Sequence, residues 1–163
     1  MSANEAREFV VENARLLWPN FAGTEKAFNK EGDRNFNLRI DDPEFAASLI
    51  EDGWRLKPLN LGEGHEDEQA WKLPVAIKYP KNFERLWPEV IIISSKGKRS
   101  LGEDEIKMLD WVEKSNVDVI IRPRKWVDDS TGETRVKAFL KKIVVTIVED
   151  PLEQKYADLP YSD

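Results

Sequence analysis

Residues 117–148, VDVIIRPRKWVDDSTGETRVKAFLKKIVVTIV, constrain the fold more than any other stretch. Val117, Val119 and Ile121 alternate with Asp118, Ile120 and Arg122, and Arg124 and Trp126 continue the second series. Successive side chains of a strand point to opposite faces, so alternation rich in β-branched residues is a strand signal. Asp128-Asp129-Ser130-Thr131-Gly132 supplies side chains that hydrogen-bond locally and a glycine for positive φ, which predicts a turn. On the return, Val136, Ala138 and Leu140 fall on one face and Arg135, Lys137, Phe139 and Lys141 on the other. The doubled Lys141-Lys142 shifts the phase, as a bulge does, before Ile143, Val145 and Ile147 resume the apolar series. The stretch is therefore expected to be a long antiparallel hairpin with one core face. Its other face gathers cations and aromatic rings.

Cations neutralise phosphates with little regard to base sequence, and aromatic rings offer bases a stacking surface. The competing reading is an ordinary solvated face, with Trp126 covering a core edge. Net charge, −6, argues against a uniformly basic binder, so its distribution matters more than its sum. Arg122, Arg124, Lys125, Arg135, Lys137, Lys141 and Lys142 oppose only Asp128, Asp129 and Glu133 within the hairpin. A second cationic run, Lys78, Lys81, Arg85, Lys96, Lys98 and Arg99, meets only Glu84 and Glu89. The compensating acid lies in the 63–68 loop and in residues 149–163, where five acids face Lys155 alone.

Several classes of function are disfavoured. The chain of 163 residues has no cysteine, which excludes disulfides and thiolate chemistry and fits a reducing compartment. His65, the one histidine, sits in an acidic loop and excludes a multi-histidine metal site. The first residues lack the pattern of a secretory signal, and no apolar run approaches the ~20 residues of a membrane span. A cytoplasmic location and no membrane partner are expected. Walker, GxGxxG, HExxH, GxSxG and EF-hand patterns are absent. Four carboxylate groups, Asp41-Asp42-Glu44, Glu51-Asp52, Glu66-Asp67-Glu68 and Glu103-Asp104-Glu105, leave a magnesium-dependent nuclease as a minor alternative. Two of the four stand at expected helix starts, where the helix dipole accounts for them. No catalytic residue, metal or cofactor is expected.

Taken in order, residues 14–22 predict a first strand bent at Pro19, after a polar lead-in with a weak helical pattern. Residues 34–40 alternate cleanly, with Phe36, Leu38 and Ile40 inward. Asp42 as N-cap, Pro43 in the first turn and Gly53 after the end predict a helix whose stripe is Phe45, Leu49 and Ile50. Residues 54–59 and 69–79 predict two more strands, the second carrying Pro74, which suggests an edge position or a bulge. Residues 89–94 make a short buried strand, and 95–99 a basic turn. Ser100 to Glu103 has capping-box spacing, predicting a second helix over 103–113 with Ile106, Leu109 and Trp111 inward. The class is thus mainly β with two helices (α+β). Setting aside the first helix and its following strands as an insertion leaves the order of a five-stranded OB-fold-like barrel, with an open α+β sheet as the alternative.

Six tryptophans stand in the chain. Trp18, Trp87 and Trp111 are expected in the core, while Trp54, Trp71 and Trp126 adjoin cations and are expected at the surface. The expected nucleic-acid surface comprises Phe28 in its polar loop, Arg34 and Phe36 at a strand start, and Trp54 and Trp71. Lys78, Lys96, Lys98 and Arg99 extend it, and the hairpin adds Arg122, Arg124, Lys125, Trp126, Arg135, Lys137 and Phe139.

The runs NFAGTEKAFNKEGDRNFNLRIDDPEFAASLIEDGWRLKPL, DVIIRPRKW and VKAFLKKIVVTI resemble a family of small bacteriophage single-stranded DNA-binding proteins carrying an OB fold. The likeness covers most of residues 18–148. It implies an OB barrel, a replication or recombination setting and no enzymatic activity. The ending YADLPYSD resembles the acidic, hydrophobic-tipped tails through which such proteins recruit replication enzymes. Asp158, Leu159, Pro160 and Tyr161 would form that partner-binding segment. The expected organisation is one domain over 1–148 and an acidic tail over 149–163. The expected function is non-catalytic coating of unpaired DNA, with single-stranded DNA and replication or recombination enzymes as partners and no oligomeric state implied. The main alternative is an acidic phage protein that inhibits a host enzyme by imitating nucleic acid.

Overall fold

The structure, a computed structural model, describes residues 6–25 and 29–149. Nine strands are described, with a single α-helix among them: β1 (Phe9–Val11), β2 (Arg15–Asn20), β3 (Arg34–Ile40), α1 (Pro43–Glu51), β4 (Lys57–Pro58), β5 (Trp71–Ile77), β6 (Glu89–Ser94), β7 (Gly97–Leu101), β8 (Lys114–Val127) and β9 (Thr134–Ile147). The expected hairpin is β8 and β9, antiparallel from Lys114↔Ile147 to Val127↔Thr134. Ile120 faces Lys142 but Ile121 faces Leu140, so Lys141 is the extra residue of a bulge. A one-residue slip in a strand would turn its apolar series outward. Because the bulge absorbs the slip, Leu140 before it and Ile143 after it both stay buried.

The main strand order is β1-β8-β9-β5-β3-β2. β9 changes parallel partners along its length. Near the turn it pairs with β5 through Val75↔Ala138 and Ala76↔Phe139, and beyond the bulge with β6 from Glu89↔Lys142 to Ile93↔Thr146. β6 and β7 form a hairpin around Ser95 and Lys96, with Gly97 at φ 104 closing its tight turn. Pro74 is paired with Asn37 of β3, while on the opposite edge β4 pairs at residues 71–72 and β9 at 75–76. The proline thus sits where that edge changes partner, with no ladder position of its own to fill on that side.

Core and helix follow the pattern of the sequence closely. Leu38, Leu73, Val75, Ile77, Ile121 and Leu140 are buried, and Phe21 stacks on Phe36 at 6.0 Å between ring centroids. Each such side chain contributes about 1.5–3 kcal/mol when fully withdrawn from water. In α1 the Asp42 carboxylate accepts from the Glu44 N–H at 3.0 Å, and Gly53 leaves the helix at φ 98. Its inward face is Ala46 and Leu49, with Phe45 packed beside them, whereas Ile50 is half exposed.

Three expectations are corrected. The second helix is a 3-10 turn over Ile106–Asp110. Asp110 is drawn to the end of β2, where its carboxylate accepts from the Phe21 and Ala22 N–H groups at 2.8 and 2.9 Å, and β8 begins four residues later. Ile106 and Leu109 are buried, but Trp111 is 70% exposed. The strand expected over 54–59 shrinks to Lys57–Pro58, with Trp54 joined to Val136 by an isolated bridge. The polar lead-in contains β1, which pairs with β8 through Phe9↔Ile121 and Val11↔Val119.

Candidate nucleic-acid interface

Beyond the two pairs that join them, β5 and β9 diverge, and a cleft of about 690 Å³ opens toward the hairpin turn. Its floor is apolar: Leu73, Val75, Val136 and Ala138 come from the edges of the core. The alternation that turns those residues inward aims their neighbours at the cleft mouth. Lys78 and Asp33 stand at one end, Arg55 and Lys57 on one wall, and Arg124, Lys137, Trp126 and Phe139 on the other. With Arg34, that makes six cations and one acid among the described lining residues.

Those cations are not equivalent. Arg34 donates to Glu103 at 2.8 Å and Lys78 to Asp33 at 3.3 Å, so both are already compensated. Among the described residues, no carboxylate pairs with Arg55, Lys57, Arg124 or Lys137. Lys137 instead lies 5.6 Å from the Phe139 ring centroid. The cross-strand pairs Arg122↔Phe139, Arg124↔Lys137 and Trp126↔Arg135 place four cations and two rings on three successive rungs of one face. Trp126 is 42% exposed.

The hairpin turn is tied down by Asp128. Its carboxylate accepts from the Ser130 N–H at 3.0 Å, the Ser130 hydroxyl at 2.6 Å and Arg135 Nε at 3.0 Å. The two Ser130 bonds, followed by the Arg135 charge, hold the Asp128 carboxyl below its ordinary pKa. Arg135 also approaches Glu133 at 3.7 Å. It serves the turn more than the cleft, and the rung above it is held in place.

A second aromatic corner adjoins Arg34. The guanidinium lies 5.7 Å from the Tyr79 ring centroid, and Tyr79 meets Trp87 edge-on at 5.5 Å. Trp87 Nε1 donates to the Pro80 carbonyl at 2.7 Å, and Arg122 donates to the Leu86 carbonyl at 2.8 Å. Burial pushes the Tyr79 hydroxyl up to about 12. Among the described residues, Arg34 Nε and the Tyr79 hydroxyl have no hydrogen-bond partner.

Other expected surface residues lie elsewhere. Phe36 and Trp54 are core, at 0% and 3% exposure; Trp54 packs edge-on against Phe9 at 5.0 Å. A ring so enclosed cannot stack on a base. Trp71 is half-buried against the core beside β4. Lys125 is exposed and opposite Val136. Lys96, Lys98 and Arg99 are exposed on the β6–β7 hairpin, which pairs with the far end of β9, and Arg99 is engaged by Glu105 at 2.8 Å. Phe28 and the Asp158–Tyr161 segment lie outside the described residues.

Conversely, the tryptophans expected in the core are exposed. Trp18 is 60%, Trp87 38% and Trp111 70% accessible. Trp18 occupies the register break between Leu17 and Asn20, at φ 48, with Lys72 Nζ 5.1 Å from its ring centroid. Arg55 and Lys57, which line the cleft, are not among the expected surface residues. Their two-residue spacing in Trp54-Arg55-Leu56-Lys57 was the available signal for a cationic edge. Among the described residues, no three His, Cys, Asp or Glu side chains converge as metal ligands, and no helix is long and apolar enough to cross a membrane.

The fold recurs in solved structures. The single-stranded DNA-binding protein from bacteriophage Enc34 in complex with ssDNA superposes with a TM-score of 0.55 at 12% identity, over 88% of each chain. A C-terminal truncation of that phage protein gives 0.54 at 15% identity, over 88% of this chain and 87% of that one. At such identities the likeness is one of fold. No curated protein sequence matches the chain. A family model described as "Putative phage ssDNA-binding domain" matches residues 2–163, so the chain belongs to the phage single-stranded DNA-binding domain family.

Proposed function

We propose that the protein binds and coats single-stranded DNA without catalysis, in a phage replication or recombination setting, and that the β5–β9 cleft is where the strand lies. One observation carries the assignment: on a chain of net charge −6, the described lining of the cleft gathers six cations against one acid, beside exposed Trp126 and half-buried Phe139. Arg55, Lys57, Arg124 and Lys137 would neutralise phosphates, and Trp126 and Phe139 would stack on bases. A nucleic-acid mimic would need the opposite sign of charge on such a face. The cleft favours an unpaired strand because stacking on these rings needs bases with free faces.

The body is an OB-type barrel in this reading. What supports it is that β1 and β2 are consecutive in the chain yet pair with β8 and β3, the two ends of the remaining order. The Ala14 N–H donates to the Val117 carbonyl at 2.6 Å between them. Strands β2–β3–β5–β9–β8 would then supply the barrel, with β6 and β7 added to β9. Residues 1–148 form one domain in this reading, and 149–163 an acidic segment of net charge −4, five acids and one lysine, for recruiting replication or recombination enzymes in the host cytoplasm. Glu149 itself accepts from the Ser95 N–H and hydroxyl at 2.6 Å.

The test is a fluorescence titration with an oligothymidylate and with a duplex of equal length at two salt concentrations. Tighter binding to the single strand, weakening with salt, is expected. Equal affinity for both, or no effect of salt, refutes the reading.

A further inference from the structure

We propose that Trp18, with Lys72 beside it, is a second base-stacking station at the far side of the same face, so that the strand crosses the sheet between two aromatic ends. The inference rests on the cleft being the single-strand site. Two costs at Trp18 call for an explanation. Its φ of 48 lies in the left-handed region, where bulky residues are rare. Its ring is also 60% exposed, although the surrounding run Leu16-Leu17-Trp18 is apolar enough to pack inward. The break in register between Leu17 and Asn20 is what turns the ring out. Bulges and left-handed residues of this kind concentrate where a side chain is re-aimed for a ligand.

The route to the cleft is cationic. Lys72, whose Nζ is 5.1 Å from the Trp18 centroid, pairs with Lys57 of β4, and Lys57 lines the cleft. Arg39, opposite Lys72 on β3, is held by Asp41 at 2.8 Å, which leaves Lys57 and Lys72 as the phosphate track. From β8, which carries Trp126, to β2 the sheet order is β8-β9-β5-β3-β2. Four spacings of ~4.8 Å make the path between the two stations roughly 19 Å along the sheet surface. Stacking confined to Trp126 and Phe139 in the cleft would hold a short strand in place. Two rings flanking a cationic track add a dependence on strand length.

The experiment compares the full chain with Trp18→Ala, Trp18→Phe, Trp18→Gly and Trp126→Ala on oligothymidylates of about 3 and about 12 nucleotides, the longer within the site sizes of such folds. Trp18→Ala should weaken the long oligonucleotide by about 5- to 150-fold, the equivalent of about 1–3 kcal/mol per stacked base, and leave the short one unchanged. Trp18→Phe should retain most of the affinity. Trp18→Gly relieves the positive φ, so its melting temperature should stay level or rise while long-strand binding falls. Opposed movements of stability and affinity are what a merely structural residue would not give. Wild-type binding of the long strand by Trp18→Ala, with Trp126→Ala weakened, overturns the second station and leaves the cleft reading standing. Equal losses on short and long strands by Trp18→Ala also overturn it. Failure of the wild-type chain to bind single strands overturns both.

Discussion

Salt dependence offers a quantitative test of which cleft cations meet phosphates. Arg55, Lys57, Arg124 and Lys137 have no carboxylate partner among the described residues, whereas Arg34 and Lys78 are engaged by Glu103 and Asp33. If the four unengaged cations each neutralise one phosphate of a short strand confined to the cleft, the log–log salt slope is about −2.8, from roughly −0.7 per phosphate. Between about 50 and about 200 mM salt, affinity should then fall roughly 50-fold. The double variant Arg124→Ala, Lys137→Ala removes two opposed members of one rung. Its slope should drop to about −1.4, and its loss over the same interval to roughly sevenfold. The paired removal Asp33→Ala, Lys78→Ala deletes a compensated pair and should leave the slope near the wild-type value. Fluorescence titration across five or six salt concentrations measures all three, with melting curves as the folding control. A double rung variant that keeps the wild-type slope refutes the assignment of phosphates to this wall.

Tryptophan truncations should separate by burial. Trp126→Ala should cost about 1–3 kcal/mol of single-strand binding with little change in stability, whereas Trp54→Ala should cost about 3–5 kcal/mol of folding stability on urea denaturation. Removing the Arg122 guanidinium frees the Leu86 carbonyl, so amides of residues 83–87 should exchange faster with solvent in Arg122→Ala, and unchanged exchange would mean that the bond holds nothing. Tyr79 has its pKa raised to about 12 against an unfolded value near 10. Its contribution to stability is therefore full below pH ~10 and is lost as pH rises through about 12. An ultraviolet pH titration should lose its highest-pH component in Tyr79→Phe. For Asp128 the folded pKa is lowered, so its contribution is present above the unfolded pKa near 4 and lost as pH falls through the folded value. Acid melting of Asp128→Asn should show a smaller pH dependence there than the wild type.

The hairpin was legible because burial on one face writes period two into the sequence, and the Lys141 bulge because the phase visibly skips. The cationic wall of the cleft followed from the same alternation. Trp18, Trp54, Trp87 and Trp111 depart from expectation for the opposite reason: neighbours in sequence do not reveal burial once the chain leaves a regular strand. Trp54 has Arg55 beside it, yet sits on an isolated bridge with its ring against Phe9. Trp18 stands in an apolar run, yet a bulge turns it outward. The 103–113 segment has acceptable helical spacing, but what limits it is the bond of Asp110 to the backbone of Phe21 and Ala22, a partner 88 or 89 residues away. Such a long-range hydrogen bond leaves no local signature. Arg55 and Lys57 became part of the site through the short β4–β5 pairing, which a run ending in Lys57-Pro58 barely announces.

The change of partner along β9 has a consequence for synthesis. β9 ends at Ile147, yet it is the strand that β5, β6 and β8 all pair with. A ribosome that has extruded residues only through β8 has released three strands whose shared neighbour does not exist. Their open edges offer templates for other chains, and the pairings of β5 and β6 with β9 are distant in sequence and slow to form. Native closure therefore waits until β9 has emerged. Nascent chains stalled before residue 134 should be protease-sensitive and prone to aggregate, while release of the full chain should bring protection in a single cooperative step.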